Sequence, residues 1–181
     1  MRIRVSVVAL TMLCAVSACA DELEKPPTLP GVTPALSASA SPSASPAPRE
    51  IAAPDAAGAS AFGRYFYEQI EVGFATRDPG TVSSLSSPEC VICKRYIDSI
   101  TNLRDNGERV DDYTIAVIAA DAPAISGDTA RVTVVYNDSA STRKNAQGAV
   151  LDSEEGREKV AAELILRRSG QSWIVTEVRR G

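Results

Sequence analysis

Histidine is absent from all 181 residues of the chain, and this absence limits the chemistry that the protein can perform. Histidine is the usual general base near neutral pH and a frequent zinc ligand. Ser-His-Asp and Cys-His catalysis are therefore excluded. Clustered basic residues are also lacking, since the net charge is -4 and Lys and Arg are scattered. Phosphate contacts need such clusters, so we expect no nucleic acid partner.

Cysteine is scarce, with four residues in the chain, and two of the four lie in an N-terminal segment typical of export. Arg2 and Arg4 precede an apolar run over residues 5–16, which contains Cys14 and is too short for a membrane span of about 20 residues. The run ends in Val-Ser-Ala-Cys, which resembles the bacterial lipobox. The resemblance implies a signal peptide over residues 1–18 and a lipid on Cys19. The alternatives are an ordinary secretory signal and an uncleaved anchor.

Residues 19–60 are rich in Ala, Ser and Pro and poor in large apolar side chains. Such a segment buries too little apolar surface to offset the entropy of ordering, so we predict a disordered linker. As a flexible coil it has a mean reach of roughly 35 Å, which its prolines extend. The linker would hold the domain of residues 61–181 clear of the lipid head groups.

The first half of residues 61–181 has a helical period. Apolar side chains recur every four residues at Phe62, Phe66, Ile70 and Phe74. After a turn at residues 78–80, a short helix is predicted over residues 81–85. A third helix contains Cys93, Ile97, Ile100 and Leu103 and ends at Gly107.

The second half changes to a period of two, which predicts strands around residues 113–117, 131–136, 162–167 and 173–178. Residues 137–145 read as a polar loop, and residues 147–151 as a short extra strand. Helices followed by such a meander predict an α+β fold. We expect the N-terminal helices to pack on one face of a curved antiparallel sheet of four to five strands.

Two segments carry a resemblance to known families. The closing hairpin over residues 164–175 resembles the cone-shaped α+β roll of the nuclear-transport-factor-two-like, cystatin-like superfamily. Residues 63–100, with the motif Leu-Ser-Ser-Pro-Glu-Cys-Val-Ile-Cys at 85–93, are similar to an actinobacterial family of lipoproteins whose domain has no assigned function. The superfamily contains both enzymes and binding modules, so this resemblance implies the fold and not the function.

Cys90 and Cys93 form the one specific chemical motif in the sequence, and three interpretations of this pair are open. A structural disulfide is favoured by an oxidising location, and no other cysteine would remain to pair after removal of Cys14 and lipidation of Cys19. A redox-active pair would also suit a helix N-terminus, but no strand is predicted before it. A zinc site would need two further ligands, which the sequence does not offer.

Carboxylates are the remaining route to catalysis, because an acid in a cone can act as a base. Glu163 in a strand and Glu68 in a helix are expected to be solvated, as are the turn residues Asp111-Asp112 and Glu154-Glu155. Large aromatic side chains are expected in the core rather than in a ligand cage. These are Phe62, Tyr65, Phe66, Phe74 and Trp173.

The sequence therefore favours a non-enzymatic module on the extracytoplasmic face of the cell membrane, anchored through lipid on Cys19. It would bind an envelope protein or a small apolar ligand, with no catalytic residue, metal or cofactor expected. The alternative is an envelope enzyme, either a thiol-disulfide exchanger at Cys90 and Cys93 or a carboxylate-based lyase or isomerase.

Overall fold

The computed structural model describes residues 48–181. The predicted signal peptide, Cys19 and residues 20–47 of the linker lie outside the described residues. Four helices and eight strands are present within residues 48–181. The helices are α1 (Pro48–Ala52), α2 (Ala56–Thr76), α3 (Gly80–Ser84) and α4 (Val91–Asp105). None of these helices is long and apolar enough to cross a membrane.

Helix α2 begins where Asp55 accepts a hydrogen bond from the Gly58 amide at 2.8 Å. This cap satisfies a backbone donor that has no partner within the helix. The predicted four-residue spacing is confirmed, because Phe62, Phe66 and Ile70 are fully buried. Gly63 allows the helix to approach the sheet, since a Cβ atom there would lie 2.8 Å from Val132 Cγ1.

The larger sheet has five antiparallel strands, within the predicted four to five, although the predicted extra strand at residues 147–151 overlaps a strand of a different sheet. These strands are β2 (Ile115–Asp121), β3 (Ile125–Ser126), β4 (Thr129–Asp138), β7 (Arg157–Ser169) and β8 (Ser172–Arg180). Their order is β2-β4-β7-β8, with β3 paired to the first two residues of β4. Register shifts interrupt the pairing of β2, β4, β7 and β8, and such irregularities bend a sheet. Helix α2 packs on β2 and β4, and α4 packs on β8, which confirms the α+β class.

A second, three-stranded sheet was not expected. It is formed by β1 (Arg109–Asp111), β5 (Ser141–Lys144) and β6 (Val150–Glu154) in the order β1-β5-β6. The predicted polar loop over residues 137–145 therefore contains a strand. Strand β5 has the sequence Ser-Thr-Arg-Lys, and every residue of β6 is exposed. Strands without a buried apolar face lack the alternation by which strands are recognised in a sequence.

The folded part begins upstream of the predicted boundary at residue 61. Helix α1 and the first turn of α2 belong to it, and Ala59 is fully buried against the core. The prediction of a disordered linker up to residue 60 is therefore corrected for residues 48–60. The physical reason is that α1 and the residue after it are hydrogen-bonded by side chains from the distant β7–β8 hairpin.

The chain before α4 runs along the edge of β8. The Ser87 amide donates to the Val175 carbonyl at 2.8 Å, and the Val175 amide donates to the Leu85 carbonyl at 2.9 Å. A parallel bridge joins Ser86 to Val175. These bonds fix the entry into α4 and use donors and acceptors on the edge of the sheet.

Candidate ligand-binding cavity

The inner face of the large sheet ends in charged residues. Along β4, Val132, Val134, Tyr136 and Asp138 alternate inward and are all buried. Along β8, Arg180 lies opposite Ala162, which also faces inward. The period of two therefore places Asp138 and Arg180 on the inner face at its open end.

Asp138 is held by Arg157 on the neighbouring strand. One Asp138 carboxylate oxygen accepts the Arg157 amide at 2.8 Å, and the Arg157 Nε donates to both oxygens at 3.2 and 3.0 Å. The Arg157 Nη2 donates to the second oxygen. The side chain of Asp138 is 4% exposed and that of Arg157 is 53% exposed. The hydrogen bond to Asp138 raises the pKa of the Arg157 guanidinium. The buried carboxylate is therefore already engaged.

Tyrosines surround this charged end. Arg180 Nη2 donates to the Tyr96 hydroxyl at 2.6 Å, and its guanidinium carbon lies 5.5 Å from the centre of the Tyr96 ring. Burial raises the pKa of Tyr67, and the nearby Tyr96 and Tyr136 phenols raise it further. The rings of Tyr67 and Tyr136 lie 4.5 Å apart. Neither of their buried hydroxyls meets the geometry of a hydrogen bond with any described residue.

A cavity of about 520 Å³ opens in front of this tyrosine cluster, between α4, the three-stranded sheet and the ends of β4 and β8. Small-molecule sites usually have volumes of about 300–1,000 Å³. Phe74, Leu103 and Tyr113 supply apolar surface, and the rings of Phe74 and Tyr113 meet edge to face at 5.0 Å. Burial raises the pKa of Tyr113, so its phenol remains neutral near pH 7.

Charged side chains line the rest of the cavity. Arg143 forms salt bridges with Glu108 at 3.2 Å and with Asp152 at 3.9 Å, and Arg157 is paired with Asp138. Other charged side chains of the lining form no salt bridge with any residue of the range 48–181. These are Arg95, Arg180, Glu154 and Glu155. The lining thus has unpaired charges of both signs.

Cys90 and Cys93 form a disulfide at the start of α4, and the cysteine residues are 1% and 0% exposed. Cys90 caps the helix, because its Sγ accepts the Cys93 amide at 3.2 Å. The pair does not line the cavity, but it fixes the first turn of the helix that carries Ile92, Arg95 and Tyr96. In the described part of the chain, no cluster of three or more His, Cys, Asp or Glu side chains is arranged to hold a metal ion.

The carboxylates considered from the sequence are mostly outside the cavity. Glu163 forms salt bridges with Arg131 at 3.3 Å and Arg179 at 3.4 Å, and Glu68 is half-buried on α2. Lys144 holds the pKa of Asp111 below its usual range through a hydrogen bond. Asp112 is exposed beside β1. Glu154 and Glu155 line the cavity.

The predicted aromatic core is largely confirmed. Phe62, Phe66 and Trp173 are buried in it, and Tyr65 is half-buried on α2. Phe74 packs partly against the core and also lines the cavity.

The residues that shape the inner end were not singled out from the sequence. Asp138 could have been found by continuing the alternation of β4 two residues past Tyr136. Arg180 could have been found in the same way from Val178 on β8. Tyr96 lies three residues after Cys93 on α4, on the neighbouring helical turn. No local signal marks Tyr96 as a partner of Arg180.

Solved structures with the same fold include a chloroplast protein. The intermembrane space region of chloroplast protein ARC6 aligns with a TM-score of 0.52 at 14% identity, over 70% of this chain and 95% of that one. A member of the NTF2-like family from Streptomyces avermitilis aligns at 21% identity with a TM-score of 0.43, over 65% and 89%. A protein with a cystatin-like fold from Nostoc punctiforme aligns at 10% identity with a TM-score of 0.36, over 65% and 85%. At 14% identity, the likeness to the ARC6 region concerns the fold alone.

Sequence comparison places the chain in one family. No curated protein is significantly similar to it. The family model described as a family of unknown function, DUF6318, matches residues 40–179. This range includes the disulfide and every residue that lines the cavity except Arg180. The chain therefore belongs to the DUF6318 family.

Proposed function

We propose that the protein is an exported lipoprotein, anchored through Cys19 on the extracytoplasmic face of the membrane, whose domain binds a small ligand in the cavity without transforming it. The signal-like segment and the lipobox-like Val-Ser-Ala-Cys support export and lipidation. The likeness of residues 63–100 to actinobacterial lipoproteins supports the same placement.

The engagement of Asp138 by Arg157 is the observation that carries the non-enzymatic proposal. A carboxylate that acts as a general base must reach a proton of the substrate. Asp138 is nearly buried and receives hydrogen bonds from the amide, Nε and Nη2 of Arg157. A lyase or isomerase that used this carboxylate would have to break those bonds first. This favours binding over acid-base chemistry at Asp138.

The thiol-disulfide exchanger is the other enzymatic alternative. Exchange requires that an external thiolate reach one sulfur of the pair. Cys90 and Cys93 are both buried in the hydrophobic core, which argues for a structural role. The disulfide would then act on function indirectly, by holding the helix that forms one wall of the cavity.

The proposal is tested by purifying the full-length protein from membranes in mild detergent and identifying co-purifying small molecules by native mass spectrometry. Ser99→Trp should block binding, because Ser99 lines the cavity from α4. Asp98→Trp is the matched control, since Asp98 is the adjacent residue, is exposed and does not line the cavity. We expect a bound species in the wild type and in Asp98→Trp and none in Ser99→Trp.

Two results would contradict the proposal. One is a bound species that Ser99→Trp retains in full, which would place its site elsewhere. The other is a protein that carries no ligand and is stabilised by none in a thermal screen of acids, amines, zwitterions and apolar compounds. Ligand binding to the folded state raises the thermal midpoint, so the screen is sensitive to any compound above its dissociation constant.

A further inference from the structure

The cavity has one wall with unused hydrogen-bond donors. Arg180 has five N–H donors, and its one hydrogen bond to a described residue is the one from Nη2 to the Tyr96 hydroxyl. The Tyr96 oxygen accepts that bond, so its own O–H is free to donate. Arg95, on the same helix as Tyr96, lines this wall and forms no salt bridge within residues 48–181. The donor atoms Arg180 Nη2 and the Tyr96 hydroxyl oxygen lie 2.6 Å apart, and such a pair suits a carboxylate.

A second wall of the cavity, at the end of β6, has unused acceptors. Glu154 ends β6, Glu155 follows it in the turn to β7, and both line the cavity. Neither carboxylate forms a salt bridge or hydrogen bond with any residue of the described range. Glu154 and Glu155 form no salt bridge with Arg95 or Arg180, so the two sets of charges do not neutralise each other.

The remaining charges do not alter this polarity. Arg157 is neutralised by Asp138, whereas Arg143 is shared between Glu108 and Asp152, so one further negative charge remains, on the same strand as Glu154. Phe74 and Tyr113 add apolar surface to the lining. A ligand with an acidic group alone would face Glu154 and Glu155, and a ligand with an amine alone would face Arg95 and Arg180. A ligand with both groups leaves neither wall uncompensated.

We propose that the cavity binds a small zwitterion, an amino acid derivative or short peptide, with its carboxylate at Arg180 and Tyr96 and its ammonium at Glu154 and Glu155. This inference rests on the proposed binding function and adds the chemical class of the ligand. The ligand chemistry differs from the apolar ligand expected from the sequence, because charged side chains occupy much of the lining.

The inference is tested by calorimetric titration of the full-length protein with alanine peptides of two to four residues. Each peptide is compared with its C-terminal amide and its N-acetyl form. We expect each modification to weaken binding by about tenfold or more, since a hydrogen bond to a charged group contributes roughly that factor. Arg180→Gln should weaken binding of the free peptide by a similar factor and leave the affinity for the C-terminal amide unchanged. The double variant Glu154→Gln/Glu155→Gln should behave in the same way toward the acetylated peptide.

Tyr96→Phe removes one hydroxyl from the proposed carboxylate site and tests that site with a smaller change. Arg167→Gln, on the exposed face of β7, is the matched control for Arg180→Gln. Equal affinity for free, amidated and acetylated peptides would overturn the inference. If peptides do not bind, but another compound binds to the wild type and not to Ser99→Trp, the proposed ligand class is wrong and the binding function stands. If no compound binds, both proposals fail.

Discussion

The indole Nε1 of Trp173 donates a hydrogen bond to the carbonyl oxygen of Ala53 at 2.9 Å, across 120 residues of sequence. Arg168 Nη1 donates to the neighbouring Ala52 carbonyl at 3.0 Å, and its guanidinium lies 5.0 Å from the centre of the Trp173 ring. The β7–β8 hairpin thus holds the end of α1, and residues 48–53 are part of the fold.

A chain that begins at residue 48 should be as stable as the full-length protein, and one that begins at residue 61 should be much less stable. The shorter chain leaves the buried Trp173 N–H without a partner and removes the buried Ala59. An unpaired buried donor alone costs about 1–3 kcal/mol. Urea unfolding of both chains measures the difference. Equal midpoints would show that α1 and the start of α2 contribute nothing.

The position of this boundary shows what the sequence could not give. Ala and Pro are frequent on both sides of residue 48, so composition does not change where the fold begins. Helix α1 buries none of its residues fully and has no amphipathic pattern over its five positions. Its placement depends on Arg168 and Trp173, which are more than a hundred residues away. Long-range contacts of this kind leave no local signal.

Cys19→Ala should release the protein from membranes while the domain stays folded. Lipid attachment requires the thiol, and each buried CH₂ of an acyl chain contributes about 0.8 kcal/mol to membrane binding. Fractionation of cells into membrane and soluble parts, followed by circular dichroism of the released protein, measures both expectations. If the variant sediments with membranes as fully as the wild type does, the proposal that Cys19 is lipidated is wrong.

Replacement of both cysteines by serine should weaken the domain modestly without unfolding it. The disulfide closes a loop of four residues, for which the entropic model gives about 2 kcal/mol. We expect the native protein to resist alkylation with and without glutathione, because both sulfurs are buried. Thiol labelling at rising urea concentration should then follow global unfolding. Rapid labelling of Cys90 in the folded protein after mild reduction would instead support the exchanger.

The helices and the large sheet followed from apolar periodicity, whereas the cavity did not. Its inner end combines Asp138 and Arg180, which continue the inward alternation but are charged, so they look like strand ends in solvent. Its outer wall is the three-stranded sheet, whose strands have no apolar face. The site is formed by charged residues on the inward side of strands and by strands that have no apolar face. Neither feature can be recognised from the hydrophobic pattern of a single sequence.

Tyr67→Phe should preserve or increase stability near neutral pH, by up to about 1 kcal/mol, because its buried hydroxyl has no hydrogen-bond partner among described residues.

Burial raises the pKa of Tyr67, Tyr113 and Tyr136. The unfolded chain therefore loses these protons first, so the free energy of unfolding should fall as pH rises above about 10. Below that value the three phenols contribute no slope. Urea midpoints measured from about pH 8 to about pH 11 should fall less steeply in Tyr67→Phe. A loss above about 1 kcal/mol at neutral pH would show that the hydroxyl is bonded.

Arg157→Gln should destabilise the domain more than Asp138→Asn. The Asp138 side chain is 4% exposed, so loss of the guanidinium leaves a buried carboxylate with little compensation. The Arg157 side chain is 53% exposed and can turn to water when Asp138 is neutral. We expect losses of about 3 kcal/mol for Arg157→Gln and about 1 kcal/mol for Asp138→Asn, from urea unfolding at neutral pH. The asymmetry also bears on function, because a carboxylate kept ready for catalysis would tolerate loss of Arg157. A larger loss of stability for Asp138→Asn than for Arg157→Gln would mean that the Asp138 carboxylate does not depend on Arg157. Asp138 would then again be a candidate general base for a lyase.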